Sequence, residues 1–228
     1  MNVEVSFNTP YLDGIDCSLS DFYINMTGEI NEESSKKFCS ELMVLDKKCL
    51  PVIPIYIQSG GGEVDSLLVM IAAMEQCVTP LATINLGSCS SAAAVLFALG
   101  SNGFRYMSPN AFLMFHEAST NLEGKGSDIF SSLSNLSKLD KLLNVKVEKH
   151  VGLDKGFFES QQVDFYLTAP EALKAGLVDH VGYPCFKVRF DISAEIEMKK
   201  CRKLEDNQKK YKYSKYLTSV APCETSCV

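Results

Sequence analysis

The sequence is poor in several residue types and motifs, and each absence narrows the possible functions. Its 228 residues include three histidines and no tryptophan. No run of 18 apolar residues occurs, so no membrane-spanning helix is predicted. The first residues show no basic region followed by an apolar core, so we expect no signal peptide. The phosphate-binding pattern GxxxxGK[ST] is absent, so no nucleotide site of the P-loop type is predicted. A formal charge of −6 argues against a nucleic-acid partner.

The cysteines favour a reducing compartment. There are nine, an odd number, and they are scattered without a repeated CxxC pattern. A chain of this length needs no disulfides to stabilise it, so we predict free thiols and a cytoplasmic protein, or one of an organellar stroma or matrix if the source is eukaryotic. Cys223 and Cys227 are four residues apart, but no histidine or second cysteine pair lies near them. We therefore expect no metal site.

The pattern of apolar segments predicts an α/β fold. Short β-branched runs such as PVIPIYIQ (51–58) and PLATINLG (80–87) alternate with helical segments, which is typical of parallel βαβ units. The polar, irregular residues 1–20 are predicted to form an atypical N-terminal segment. Residues 21–184 are predicted to be the main domain, and residues 185–228 a charged C-terminal extension.

With so few histidines, the search for a proton-transfer site is short. His116 ends the apolar segment AFLMFH and precedes the polar residues EASTN. Functional sites of open α/β sheets gather beyond the carboxyl ends of strands, and imidazole suits proton transfer near neutral pH. His150 lies at the end of a charged helical segment, and His180 follows Asp179 near the surface. For these two we predict structural roles.

Two strand-to-helix junctions offer further chemistry. The glycine-rich SGGGEV (59–64) could cradle a phosphate, present backbone N–H groups to an oxyanion, or form a tight turn. The phosphate interpretation lacks the lysine or GxGxxG frame that it requires. In NLGSCSSAAA (85–94), we predict that serines open a buried helix, and each could be a plain helix cap or a nucleophile. The residues alone leave these alternatives open.

Taken together, four segments resemble the Clp protease proteolytic subunit family. In chain order they are SGGGEV, GSCSSAAA, SPNAFLMFHEAS and VDFYLTAPEALKAGLVD, and the resemblance covers roughly residues 21–182. The last segment is the most specific because it is long and agrees with the helix-boundary signals. The resemblance implies a ClpP/crotonase-like α/β fold of stacked βαβ units with a protruding handle helix.

The resemblance also implies site residues. Ser91, the fifth residue counted from Gly87, resembles the nucleophile, His116 its general base, and Asp164 the carboxylate that orients the imidazole. The backbone N–H groups of Gly62 and Ala92 resemble the donors of the oxyanion hole. No metal and no cofactor is implied for this chain.

The function implied is a serine endopeptidase that works inside an oligomeric chamber. Its substrate would be a peptide or an unfolded protein, and a separate AAA+ unfoldase would use ATP. The chamber would be a heptameric ring, stacked in pairs as a tetradecamer through the helical segment beginning near Gly124. That segment carries an apolar stripe, which could join two rings or could instead be buried within the same subunit. The stripe consists of Ile129, Leu133, Leu136, Leu139 and Leu143.

Departures within the motifs bear on the substrate, and other functions compete with the peptidase. Three glycines replace the usual Pro-Gly-Gly, Ala92-Ala93 replaces a common Met-Gly, and EASTN lacks the usual Gln-Pro, so substrate preference is open. The protein could be a catalytically silent ring subunit. It could be an acyl-CoA enzyme of the crotonase superfamily, which would not need Ser91, His116 and Asp164 together. A Ser-Lys signal-peptide peptidase would require a catalytic lysine and a membrane anchor.

Overall fold

The structure, a computed structural model, describes residues 22–48, 50–119, 124–161 and 164–184, with the backbone of residues 190–192 and 215–217. The described residues fall into two units, and residues 22–184 all belong to the larger one. Within these described ranges no helix is both long and apolar enough to cross a bilayer.

The larger unit alternates strands and helices along the chain. Its elements are β1 (Ile24–Thr27), α1 (Glu32–Asp46), β2 (Ile53–Ser59), α2 (Val64–Gln76), β3 (Leu81–Ser90), α3 (Ala92–Ala98), β4 (Arg105–Met107), β5 (Phe112–Phe115), α4 (Gly126–Val151), β6 (Phe165–Thr168), α5 (Ala169–Ala175) and β7 (His180–Val181).

The sheet is parallel in the order β1-β2-β3-β4-β7, which confirms the predicted βαβ crossovers. The ten-residue strand β3 serves two neighbours. Thr83–Asn85 pair with β4, whereas Ser88–Ser90 pair with β5. Strand β6 then pairs with β5 in the antiparallel direction. This last pairing was not predicted, since four residues that run directly into a helix carry too little periodicity to be recognised as a strand.

The helices bury one face each against the sheet or a neighbouring helix. In α1 the buried face includes Phe38, Leu42 and Leu45. In α2, Met70 is buried, whereas Val69 on the outward face is 54% exposed. The apolar composition of a helix limits how much apolar surface it can bury, but its packing partners determine how much of that surface is buried.

The 26-residue helix α4 confirms the predicted long helical segment. It is buried mainly near its C-terminal end, at Leu143, Val147 and Glu148. Of the five stripe residues only Leu143 is buried, and Leu133 is 47% exposed. Ile129, Leu136 and Leu139 are half-buried, so burial within the same subunit covers the stripe only in part.

The smaller unit is described only at two short strands, β8 (Phe190–Ile192) and β9 (Lys215–Leu217), which pair antiparallel. The predictions for Cys223, Cys227 and residues 1–20 lie outside the described residues, as does most of the C-terminal extension. The three cysteines described in the structure, Cys39, Cys77 and Cys89, are free thiols.

Candidate active site

Ser91 occupies a strained turn between a strand and a helix. Strand β3 ends at Ser90 and α3 begins at Ala92, so Ser88 and Ser90 lie in the strand and not, as predicted, at the opening of the helix. The strand continues this far because its last residues pair with β5. Ser91 has a φ of 54° and a ψ of −125°. Such a conformation costs roughly 1–3 kcal/mol and is common at functional sites.

The Ser91 hydroxyl does not serve as a helix cap. Ser91 is at the N-cap position of α3 but makes no capping hydrogen bond with its side chain. The neighbouring Cys89 thiol is not a competing nucleophile, because burial raises its pKa far above neutral and its Sγ donates to the Ile57 carbonyl at 3.3 Å. Ser91 is thus a partly exposed residue of this junction whose hydroxyl makes no capping hydrogen bond.

The glycine-rich turn lies directly against Ser91. The Ile30 N–H donates to the Gly61 carbonyl, and the Glu63 N–H donates to the Ile30 carbonyl, each at 2.8 Å. In this parallel bridge the N–H of Gly62 faces away from Ile30. A Cβ on Gly61 would lie 2.7 Å from the Ser91 Cβ and 3.1 Å from the Ala92 nitrogen. The turn therefore requires glycine and packs against both Ser91 and the N–H of Ala92.

His116 and Asp164 are brought together by the antiparallel pair β5–β6. Phe115 pairs with Phe165, and continuing the register by one residue places His116 opposite Asp164. Directly opposite residues of antiparallel strands have Cα atoms about 4.5–5.5 Å apart. Although they are 48 positions apart in the sequence, His116 and Asp164 each directly adjoin one member of the pair Phe115–Phe165.

Ser91 is hydrogen-bonded to the end of β5, next to His116. Its N–H donates to the Met114 carbonyl at 2.8 Å, two residues before His116. The carboxyl ends of β3 and β5 and the start of β6 thus meet at one edge of the sheet. This edge brings Ser91, His116 and Asp164 around a common space.

That space is a cavity of about 860 Å³. All five residues predicted for the site line it: Gly62, Ser91, Ala92, His116 and Asp164. Apolar side chains line another part of it: Leu67, Val95, Phe115, Leu143 and Phe158. Polar side chains from α4 and the following loop complete the lining, among them Asp140, Lys141, Asn144 and Glu159.

The three predicted catalytic side chains line the cavity. Within the part of the chain that the structure describes, no hydrogen bond joins any two of them. In unliganded active sites such contacts are often long and tighten only when substrate binds. The backbone arrangement is therefore the feature that brings the three residues together.

The other two histidines lie elsewhere, with structural contacts. The Nε2 of His150 donates to the Gly100 carbonyl at 2.7 Å. The Nε2 of His180 donates to the Gly103 carbonyl at 3.1 Å, and its ring stacks on Tyr106 at 4.9 Å. These contacts agree with the structural roles predicted for both residues.

Asp140 is a site residue that sequence reasoning missed. Its carboxylate accepts the N–H of Ala118 at 3.3 Å and the side-chain amide of Asn144 at 3.3 Å. It thereby ties the segment after His116 to α4. No sequence signal identifies it, because an acidic residue on a charged helix is usually solvated. Within the described residues no group of three or more potential ligands could hold a metal ion.

The sequence matches the family model of Clp protease over residues 11–184. The chain belongs to the Clp protease family. This confirms the resemblance read from the four segments, and the mixed α/β architecture with its parallel sheet fits the fold expected of that family. Membership supports a peptidase, that is, a hydrolase, and implies a protein substrate and assembly into an oligomeric ring. It favours the peptidase over the acyl-CoA and signal-peptidase interpretations.

Proposed function

We propose that this Clp protease is a serine endopeptidase in which Ser91 is the nucleophile, His116 the general base and Asp164 the orienting carboxylate. The observation that carries the proposal is the meeting of these three residues, with Gly62 and Ala92, around one cavity at the ends of β3, β5 and β6. The strained, uncapped conformation of Ser91 supports its role as nucleophile.

The first half of the reaction forms an acyl-enzyme. His116 takes the proton of the Ser91 hydroxyl as Oγ attacks the carbonyl carbon of the peptide bond, because an un-ionised hydroxyl is a weak nucleophile. Asp164 holds the imidazole in the required tautomer and stabilises the imidazolium that forms. His116 then gives the proton to the leaving amine, and the C–N bond breaks.

The second half releases the acid product. His116 deprotonates a water molecule, which attacks the acyl-enzyme carbonyl, and the Ser91 oxygen leaves and regains a proton. Both tetrahedral intermediates carry an oxyanion between the N–H groups of Gly62 and Ala92. One such donor is worth about 3–4 kcal/mol of barrier height. Gly61 keeps these donors in place because it packs against Ser91 and Ala92.

The cavity supports a preference for apolar side chains near the scissile bond. Leu67, Val95 and Leu143 form part of an apolar wall within reach of the Ser91 turn. An apolar side chain that enters this region loses water contact, which favours binding. A peptide series that varies one residue next to the cleaved bond would show this preference directly.

Ring assembly is supported by apolar side chains that the single chain leaves uncovered. On α4, Phe130 is 77% and Leu142 is 51% exposed. Large exposed apolar patches often mark protein interfaces. We propose heptameric rings that stack in pairs through α4 and enclose the active sites. Light scattering that gave a monomer at micromolar concentration would contradict this.

We propose that a separate AAA+ unfoldase in the cytoplasm unfolds folded proteins and delivers them to the peptidase. Unfolding a typical domain costs about 5–15 kcal/mol, and this chain contains no GxxxxGK[ST] nucleotide site. The purified protein should therefore cut an unstructured peptide but leave a stable folded protein intact, with or without ATP. Rapid ATP-independent degradation of the folded protein would contradict the need for a partner.

The decisive experiment is labelling with a fluorophosphonate probe, followed by mass spectrometry of the modified residue. Ser91 should carry the label, and Ser91→Ala should abolish both labelling and peptide hydrolysis. Ser90→Ala, one residue earlier in the strand, is the matched control and should label normally. Labelling of Ser90 would overturn the assignment.

A catalytically silent ring subunit is the alternative function. It is supported by the lack of hydrogen bonds among the side chains of Ser91, His116 and Asp164 in this structure. It predicts no label at Ser91 even in the assembled ring. The same probe experiment therefore separates the two functions.

A further inference from the structure

Glu148 is a buried carboxylate that the proposed mechanism does not use. It lies near the end of α4, is 5% exposed, and is not one of the described residues that line the catalytic cavity. A buried charge is costly unless it is hydrogen-bonded, so its position needs a physical reason. Its Oε1 accepts the backbone N–H of Phe158 at 3.4 Å.

Glu148 holds both ends of the segment by which the chain leaves α4. Its backbone carbonyl accepts the N–H groups of Gly152 and Leu153, each at 2.9 Å. Its side chain holds Phe158, six residues further along. We call residues 152–158 the return segment. One residue therefore fixes where this segment starts and where it ends.

The end of the return segment packs against β5 and β6, the two strands that adjoin His116 and Asp164. The ring of Phe158 lies 5.1 Å from that of Phe115 and 6.2 Å from that of Phe165. The Phe115 and Phe165 rings stack at 5.6 Å. These separations are typical of favourable aromatic pairs. Phe115 and Phe158 are both buried, so the three rings form a compact aromatic cluster.

Each strand ring of this aromatic cluster is next to a catalytic residue in the chain. Phe115 immediately precedes His116, and Phe165 immediately follows Asp164. Close-packed side chains transmit displacements to their neighbours, so a shift of Phe158 would move both strand ends. The aromatic cluster is thus a physical connection between Glu148 and the spacing of His116 and Asp164.

We propose that Glu148 is a positioning residue of the peptidase: through its hydrogen bond to Phe158 it holds the aromatic cluster, and the cluster sets the relative position of His116 and Asp164. The role rests on the proposed function, since it acts on the pair assigned there as base and orienting carboxylate. Because Glu148 stands behind the cavity wall, its removal should affect the chemical step more than substrate binding.

The test compares Glu148→Leu, which removes the acceptor at similar size, with Glu148→Gln, which keeps a carbonyl acceptor. Lys149→Gln, an exposed neighbour on the same helix, is the matched control. E148L should lower kcat for an unstructured peptide about 10- to 100-fold, because small misplacements of catalytic groups have effects of that size. KM should change by less than about twofold, and E148Q and K149Q should stay near wild type.

Hydrogen–deuterium exchange supplies a readout that does not depend on activity. In E148L, amides at Phe158, Phe115 and Phe165 should exchange faster than in the wild type, whereas E148Q should restore slow exchange. If the wild type neither cuts peptides nor labels at Ser91, the proposed function fails, but this exchange pattern still shows that Glu148 holds the strand ends.

Three results would overturn the proposal. The first is a wild-type kcat and unchanged exchange in E148L. The second is an E148Q variant as impaired as E148L, since Gln can still accept the Phe158 N–H. The third is an E148L protein whose light-scattering mass or melting temperature falls in parallel with its activity, which would show a merely structural role.

Discussion

The helices α1 and α3 both follow strands, but they begin in opposite ways. At the start of α1, Asn31 has extended backbone and forms a capping box, in which its side chain accepts the Ser34 N–H at 3.0 Å and the Ser34 hydroxyl accepts the Asn31 N–H at 2.9 Å. At the start of α3, Ser91 has a positive φ and no capping bond. The polar groups at the start of α1 therefore stabilise that helix locally, whereas the Ser91 hydroxyl at the start of α3 forms no capping hydrogen bond.

The strained start is stabilised by residues distant in the sequence. Ser91 is held by the Met114 carbonyl, and Gly61 packs against its Cβ. A capped helix start can be predicted from consecutive residues, but the start of α3 is stabilised by contacts with neighbouring strands and turns. The comparison therefore predicts that substitutions around α3 affect activity most, and substitutions around α1 affect stability alone.

The largest expected effect is that of His116→Ala. It removes the proposed base and should lower kcat on the order of 10⁴-fold, as loss of a triad function does in serine proteases. His150→Ala is the matched control. It loses one partly buried hydrogen bond to Gly100, which should cost about 1 kcal/mol of unfolding free energy while most activity remains. Peptide hydrolysis and urea denaturation measure the two quantities.

Equal inactivation of the two histidine variants would remove the distinction between a catalytic and a structural histidine. It would also contradict the assignment of His116, because His150 is hydrogen-bonded to Gly100, away from the catalytic cavity.

Gly61→Ala should have the next largest effect. The added Cβ would lie 2.8 Å from the Ser90 carbonyl and 2.7 Å from the Ser91 Cβ, so the nucleophile and the Ala92 donor must shift. Loss of a well-placed oxyanion donor lowers kcat about 10²- to 10³-fold. Gly103→Ala is the control: Gly103 also has a positive φ, 84°, but a Cβ there meets nothing within 4 Å.

The control should lose roughly 1–2 kcal/mol of stability from backbone strain and keep its activity. A Gly61→Ala variant with wild-type kcat would show that the turn does not position Ser91.

Sequence reasoning selected Ser91, His116 and Asp164 because they lie within recognisable motifs, and in the structure all three line one cavity. It did not foresee how His116 and Asp164 meet, since β6 is too short to be recognised and its antiparallel pairing with β5 is a long-range contact. The contact of Gly61 with Ser91 was missed for a related reason, because it joins two loops 30 residues apart. By contrast, the start of α1 is encoded by consecutive residues, the cap Asn31 and an acidic first turn.

A pair of alanine substitutions tests the helix starts directly. Asn31→Ala removes the cap of α1 and should lower the unfolding free energy by about 1 kcal/mol, with activity unchanged. Ser91→Ala removes no capping bond, so its unfolding free energy should stay within about 0.5 kcal/mol of wild type. Urea denaturation of both variants makes the comparison. A Ser91→Ala variant as destabilised as Asn31→Ala would mean that the Ser91 hydroxyl has a structural role after all.

The smallest effect is expected at the other end of α1, and it depends on pH. The last residue of the helix, Asp46, accepts hydrogen bonds from the Thr79 N–H at 2.9 Å and the Cys77 thiol at 3.2 Å. The bonds from Thr79, and then that from Cys77, lower the pKa of Asp46 from its ordinary 3.8 to about 2. A carboxyl group whose pKa is lower in the folded state contributes stability above its unfolded pKa and loses it as pH falls through the folded pKa.

Asp46→Asn keeps a carbonyl acceptor but removes the charge, so it isolates this contribution. Wild type should be more stable than the variant by a constant amount above about pH 4, and the difference should shrink between pH 4 and pH 2 because Asp46 becomes protonated only in that range. Urea denaturation of both proteins at a series of pH values measures the difference, in which the titration of all other carboxylates cancels. Because Asp46 is solvent-accessible, the effect is modest, and peptidase activity at neutral pH should be unchanged. A difference that stayed constant down to pH 2 would show that the hydrogen bonds to Cys77 and Thr79 do not depend on the charge of Asp46.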